Sequence, residues 1–306
     1  MNNIISNIKD LEKETFINLK NSKAFNTSRA YDSDFTDFVK FCQSHNLEFM
    51  PSNPKAVTLY ITHLGKKNKF STIKRRLSTI KLMHKYKGFH IDINHPLIKE
   101  NILGIKKKIG TFQKGKKPLL INDLYKILDY MNNNLVNKKL QFIRDKAILT
   151  IGFSGGFRRS ELVNIYKSDI EFVEEGMKIR IRKSKTDQLG HGLIKAIPYF
   201  KKTKYCPVIA AKEWLSECNI NQKLLFPYSD KLISLIVKKS IQAIGLESSL
   251  YSGHSLRSGF ATSVANLGAD ERSIMQMTGH KSTEMVRRYI KDANLFKNNA
   301  LNKINL

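Results

Sequence analysis

The 306 residues suffice for two domains of ordinary size, about 100–200 residues each, and 41% of them are hydrophobic, enough for packed cores. No apolar run approaches the roughly 20 residues of a membrane span, Met1 to Asp10 lacks the apolar stretch of a secretory leader, and three scattered cysteines (Cys42, Cys206, Cys218) build neither a disulfide framework nor a zinc site; a soluble chain in a reducing, cytoplasmic setting is expected. The formal charge is +27, and it is uneven: residues 1–61 are neutral, 62–117 carry +14 with only Asp92 and Glu100 as acids, and 118–306 carry +13.

A lysine-rich genome would raise the charge evenly along the chain. Concentrated charge repels itself, so a compensating polyanion is expected, and a phosphate backbone is the natural one.

The first hundred residues read as helices. One is expected over Ile4–Leu19. A second starts near Thr27 and carries Tyr31, Phe35, Phe38 and Val39 at helical spacing. A third follows Pro54 with Val57, Tyr60, Ile61 and Leu64. A fourth runs from Ser71, a candidate N-cap, to just before Gly88. Its stripe is Ile73, Leu77, Ile80 and His84 or Met83, with Lys74, Arg75, Lys81 and Lys85 mainly off it. Such a helix can dock on a core and face DNA. A fifth starts near Pro96 and reaches Lys106, Lys107 and Lys108. Residues 106–117 hold six lysines, two glycines and no acid, which reads as a basic linker lying along phosphate through Lys106, Lys107, Lys108, Lys116 and Lys117.

The remainder is mixed. Helices are expected at 122–134, 138–152, 159–166, 206–218, 231–244, 255–267, 270–278 and 282–290. Met177 to Arg182 alternates as a strand does, and Leu193–Ile197 is its candidate hairpin partner. The tail, 292–306, places Leu295, Phe296, Leu301, Ile304 and Leu306 at roughly helical spacing. The fold class is therefore mainly α with a small antiparallel β-element.

Four segments hold residues suited to chemistry: Gly155 to Leu162 around Arg158, Arg182 to Gln188 around Lys185, Gly253 to Arg257, and Thr278 to Tyr289. Each alone is weak. An exposed arginine is more often half of a surface ion pair worth under about 1 kcal/mol, and a lone histidine more often packs or caps. Tyr289 is one of eleven tyrosines.

In order, Arg158, Lys185, His254, Arg257, His280 and Tyr289 resemble the series of the tyrosine recombinase family: Arg, a hairpin Lys, His-x-x-Arg, His or Trp, then Tyr. Gly156 to Leu162 matches the family's Gly-Leu-Arg-x-Ser-Glu-Leu with Phe for Leu, and His280 and Tyr289 keep its spacing of nine. The wording of Gly253 to Tyr289 is similar to that of phage and mobile-element integrases. The resemblance implies a helical core-binding (SAM-like) DNA-binding domain over 1–105, the linker 106–117, and an α+β catalytic domain over 118–306 ending in the tail 292–306. The likeness over the first hundred residues is one of layout.

The resemblance also assigns roles, and each suits its chemistry. Arg158 and Arg257 would grip the non-bridging oxygens of the scissile phosphate and stabilise its transition state. Tyr289, with an ordinary pKa near 10, would be the nucleophile, with His254 taking its proton. Lys185 would protonate the leaving 5′ oxygen, with Lys183 the alternative on the same hairpin face. His280 would hydrogen-bond the phosphate. Glu161, one turn after Arg158, would orient its neighbours. The bond is kept as a 3′-phosphotyrosine, so no metal or nucleotide cofactor is needed, and no Walker-type loop is present. The expected partner is double-stranded DNA, held by a homo-tetramer on two sites whose tails dock on neighbouring protomers, in the nucleoid of the cytoplasm and away from membranes. The alternatives are a type IB topoisomerase-like strand transferase and a non-catalytic DNA-binding protein of recombinase descent.

Overall fold

The computed structural model describes residues 8–21, 25–112, 115–134, 139–182, 192–218, 221–294 and 300–304. The chain divides into two units, Met1–Lys114 and Gly115–Leu306. Among the described residues no helix is long and apolar enough to cross a membrane.

The first unit is helical: α1 (Ile8–Asn21), α2 (Phe25–Ser44), α3 (Pro54–Gly65), α4 (Phe70–Tyr86) and α5 (Pro96–Ile109). Residues 1–7, where the first helix is expected to begin, lie outside the described residues. Asn53 caps α3, accepting from the Ala56 N–H, and Pro54 supplies a first-turn residue with no N–H to satisfy. Phe38 and Cys42 of α2, Tyr60, Ile61 and Leu64 of α3, Ile73, Leu77 and Ile80 of α4, and Ile98 and Ile105 of α5 form its core. The N-cap of α4 is Lys69 and not Ser71, which sits inside the first turn. His84, rather than Met83, completes the buried stripe. Its Nε2 accepts from the Ser52 N–H (2.9 Å), which fixes a neutral ring.

Two α4 arginines answer acids on α2. Arg75 pairs with buried Asp34, and Arg76 reaches both Asp34 (3.5 Å) and Asp37. A buried carboxylate must be paired, so Arg75, expected on the DNA-facing flank, also holds Asp34 while its side chain stays 44% exposed. Lys74, Lys81 and Lys85 remain exposed.

The basic stretch is less of a linker than its composition predicts. Lys106, Lys107 and Lys108 form the last turn of α5, where cations complement the helix dipole, and the helix stops at Gly110 with φ 69°. Lys117 and Lys116 already belong to the second unit: the Lys117 N–H donates to the Leu250 carbonyl (2.8 Å), and the Lys116 ammonium donates to that of Ser249 (2.5 Å).

The second unit is built around α7 (Lys139–Ser154). Residues 145–154 are all buried, so this helix has almost no solvent face. It packs against α6 (Ile121–Asn134), α9 (Pro207–Glu217) and α11 (His254–Asn266). Short α8 (Arg159–Val163) follows, and then a three-stranded antiparallel sheet in the order β1 (Ile170–Val173), β2 (Gly176–Ile181), β3 (Leu193–Pro198). Helices α10 (Asp230–Ala243), α12 (Glu271–Thr278) and α13 (Thr283–Asn294) complete the unit.

α8 ends earlier than expected because residues 165–167 turn extended to pair with 223–225: Leu225 N–H donates to Ile165 O (2.8 Å) and Lys167 N–H to Lys223 O (2.9 Å). β1 is absent from the sequence-based expectation because its four residues do not alternate in burial. The β2–β3 register places Ile181 opposite Leu193, Ile179 opposite Lys195 and Met177 opposite Ile197. The inward row of β3 thus contains a lysine, while Ile194 points outward.

Candidate active site

Arg158 owes its position to the end of α7. Gly155 and Gly156 turn the chain there, with Gly156 at φ 54°; a Cβ on Gly156 would also come within 3.1 Å of Phe260 and 3.2 Å of Thr278. Arg158 is the N-cap of α8. Its backbone N–H donates to Glu161 Oε2 (2.9 Å), and its Nη1 donates to Glu161 Oε1. Glu161 is buried, so its charge is held by these donors and not by water.

Arg257, on the first turn of α11, is fully buried. Its Nη1 donates to the Gly156 carbonyl (2.9 Å) and lies 3.9 Å from Glu161 Oε2. Its Nη2 lies 3.1 Å from His280 Nε2. Among the described residues its buried Nε has no partner, a donor left over in an otherwise satisfied group. Burial and the neighbouring Arg158 push the Arg257 pKa down to about 10, against the pull of Glu161, so it stays charged at neutral pH.

Arginine only donates, so His280 Nε2 must accept. The ring proton then lies on Nδ1, 2.7 Å from Thr278 Oγ1, whose hydroxyl donates to the Ile274 carbonyl (2.6 Å). Burial first, and then Arg257 and Arg158, lower the His280 pKa to about 4. In this tautomer the Nε2 lone pair is directed at the Arg257 guanidinium and the Nδ1 proton at Thr278.

Tyr289 lies on the buried face of α13, among Ala261, Ala265, Ile274 and Val286, with its ring centre 6.2 Å from that of His280. His254 opens α11 with its side chain exposed. Atoms packed around its ring, and then Arg257, Arg158 and Arg159, lower its pKa, so it is neutral at physiological pH.

Arg158, Glu161, Arg257, His280 and Tyr289 therefore form one connected group, with His254 close enough to share its electrostatics. Lys185 and Lys183 lie outside the described residues. The strand leading to them ends at Ile181, and the next residue, Arg182, donates to both oxygens of buried Asp169 (2.8 and 3.0 Å) and stacks 4.0 Å over the Tyr166 ring. Lys195 is absent from the sequence-based expectation. It is 1% exposed, its Nζ donates to the Gly155 carbonyl (2.6 Å), and it lies 4.4 Å over the Phe157 ring. Its signal in the sequence is the strand alternation, which puts Leu193, Lys195 and Ile197 on one face.

The phage integrase family model matches residues 118–295, and that of the phage integrase N-terminal SAM-like domain matches residues 15–88. An integrase/recombinase XerD homolog from Selenomonas ruminantium is 40% identical over 301 residues, covering 94% of this chain and 87% of the relative. The chain is a tyrosine recombinase of the phage integrase family. A tyrosine recombinase XerC from Thermodesulfovibrio yellowstonii is 28% identical over 89% of this chain and 88% of its own. Among solved structures, the Tn1549 transposon integrase in complex with transposon right end DNA superposes with a TM-score of 0.60 at 15% identity, over 95% of this chain and 97% of that one. A lambda integrase dimer bound to a COC′ core site gives 0.57 at 16%, over 90% and 95%. At these identities the structural likeness speaks to fold. This recombinase is mostly helical with a small antiparallel sheet, binds DNA, and performs site-specific recombination through a phosphotyrosine intermediate.

Proposed function

We infer that the phosphate is held by Arg158 and Arg257 and attacked by Tyr289. The observation that carries this reading is the convergence of two buried or half-buried guanidiniums on Glu161, with an Arg257 Nε–H that has no partner among the described residues, and with His280 between Arg257 and the Tyr289 ring. Tyr289 Oη forms a bond to phosphorus as the bond from phosphorus to the 5′ oxygen breaks. The tyrosine proton passes to His254, which is neutral and open to solvent. The leaving oxygen takes a proton from Lys185, or from Lys183 on the same hairpin. The 3′-phosphotyrosine is then opened by the 5′ hydroxyl of a partner strand, which reverses these transfers and releases Tyr289. Glu161 keeps both arginines in register, and His280 fixes Arg257.

Four protomers on two sites would couple these steps. The tail supports this through Leu301 (63% exposed) and Ile304 (56% exposed), apolar groups suited to a neighbour. Leu295, Phe296 and Leu306 of the same tail lie outside the described residues. Substrate places the enzyme at the nucleoid of the cytoplasm, and the integrase wording of Gly253 to Tyr289 favours a mobile element as its origin.

The test is to incubate the protein with a pool of nicked duplexes of random sequence, recover those covalently attached, and map the modified peptide. The expected result is one enriched site, joined through Tyr289 to a 3′ phosphate. Attachment at another residue, or with Tyr289→Phe, overturns the assignment. Relaxation of supercoiled plasmid with no enriched site would favour the topoisomerase reading.

A further inference from the structure

A fully buried lysine beside two arginines needs a reason. The inward row of β3 could hold an aliphatic side chain, as it does at Leu193 and Ile197, and an unpaired ammonium there is costly to bury. Among the described residues no carboxylate lies within ion-pair distance of Lys195; its acceptor is the Gly155 carbonyl, 2.6 Å away. The next carbonyl, that of Gly156, is held by Arg257 at 2.9 Å. Two successive carbonyls of one turn are thus gripped by cations from two elements, β3 and α11, and that turn delivers Arg158.

We propose that Lys195 is a positioning residue of the recombination reaction, whose ammonium holds the Gly155–Gly156 turn beneath Arg158 and supplies a third positive charge to the phosphate site. This rests on the recombinase reading above and adds a residue to it. The charge balance explains the choice of residue. With Lys195 protonated, Arg158, Arg257 and Lys195 set three positive charges against one negative, Glu161, in a largely buried site. A phosphodiester removes one surplus charge, and the phosphorane formed on tyrosinate attack removes the second. With an aliphatic residue at 195, the cluster would be short of one charge when the transition state forms.

The groups facing Lys195 are Glu161 and Arg158 at α8, Arg257 from α11, and His280 following α12. Burial is the main influence and lowers the lysine to about 7; Glu161 pulls it up, Arg257 and Arg158 push it down. The free protein therefore holds this proton only in part at pH 7–8, and an arriving phosphate charge restores it. DNA engagement is then accompanied by proton uptake.

The experiment uses the intact protein and the duplex recovered by covalent trapping. Calorimetric binding at pH 8 in buffers of differing ionisation enthalpy reads the protons taken up. The wild-type protein is expected to take up about half a proton or more. Lys195→Met is expected to abolish most of that uptake, to change DNA affinity less than threefold, and to slow single-turnover cleavage at least tenfold. Equal cleavage rates, or equal uptake by wild type and variant, overturn the proposal. Should Lys195→Met fail to fold, the wild type is compared on the duplex and on one whose scissile linkage is a neutral methylphosphonate. Loss of uptake with the neutral linkage supports the proposal, and unchanged uptake overturns it. Failure of the recombinase reading itself is a different result: no duplex is trapped.

Discussion

Arg257 donates to His280 Nε2 across 3.1 Å, and that one contact decides where the imidazole keeps its proton. His280→Gln keeps an acceptor near this position, whereas His280→Phe removes it. Cleavage of a trapped-site duplex is expected to fall about 100-fold for Phe and clearly less for Gln, because a loosened guanidinium misplaces the phosphate. Equal losses in single-turnover assays would show that orienting Arg257 is not the role of His280.

The same contact sets a pH dependence. The His280 pKa in the fold, about 4, lies below its ordinary 6.5, so the unfolded chain binds more protons between these values. Its contribution to stability is complete above pH 6.5 and is lost as pH falls toward 4. His84, lowered by burial, acts with the same sign in the first unit. Denaturant midpoints at pH 7, 5.5 and 4.5 should fall, and His280→Gln should flatten part of that fall.

Lys195 acts with the same sign as His280, in a window at alkaline pH. Its folded value of about 7 lies below the unfolded value near 10.4, so stability rises as pH climbs from 7 toward 10. Lys195→Met escapes the burial of charge, several kcal/mol by rough reckoning, and leaves the Gly155 carbonyl without its donor at about 1–3 kcal/mol. The variant should have the higher Tm at pH 7, and the order should reverse near pH 10, where the wild-type lysine is neutral and still donates. A pH-independent gap in Tm would mean that charge at 195 is not its source.

Glu161 is the buried counter-charge of Arg158 and Arg257. Glu161→Gln should cost about 3 kcal/mol in equilibrium unfolding, since both guanidiniums lose their counter-charge together. A loss below about 1 kcal/mol would mark the pair as exposed in solution.

On α4, neighbouring basic residues should separate into two classes. Lys74→Ala with Lys81→Ala should leave stability within about 0.5 kcal/mol and reduce the slope of log affinity against log salt by about 1 for each phosphate deprived of its lysine. Arg75→Ala should instead lower the unfolding midpoint, because buried Asp34 loses a partner. If the lysine pair leaves the salt slope unchanged, that face of α4 does not meet DNA.

Much of the site is legible in the sequence because its residues occur in short motifs: Arg158 with Glu161 in one, His254 with Arg257 in another, His280 nine positions before Tyr289. Helices with strong stripes, such as α3 and α10, are legible for the same reason, that local periodicity reports burial directly. Lys195 escapes because its meaning depends on register: only its pairing with Ile179 shows that it points inward. Composition does not show that Lys106 to Lys108 end a helix or that Arg75 answers an acid on another helix, because it cannot distinguish a helix end from a linker, nor a free arginine from a paired one. β1 is hidden since pairing with β2, and not its own pattern, makes it a strand.

Tyr289 is part of a packed cluster with Ala261, Ala265, Ile274 and Val286 as well as the bearer of a hydroxyl. Most substitutions there remove a ring that α11, α12 and α13 close upon, and so cost stability as well as the hydroxyl. Phenylalanine, one nucleotide change away, keeps the ring and discards only the oxygen. That single-step route to silence at this position therefore yields a folded protein that occupies its sites without cutting them, and such an allele would be dominant over an active copy in the same cell.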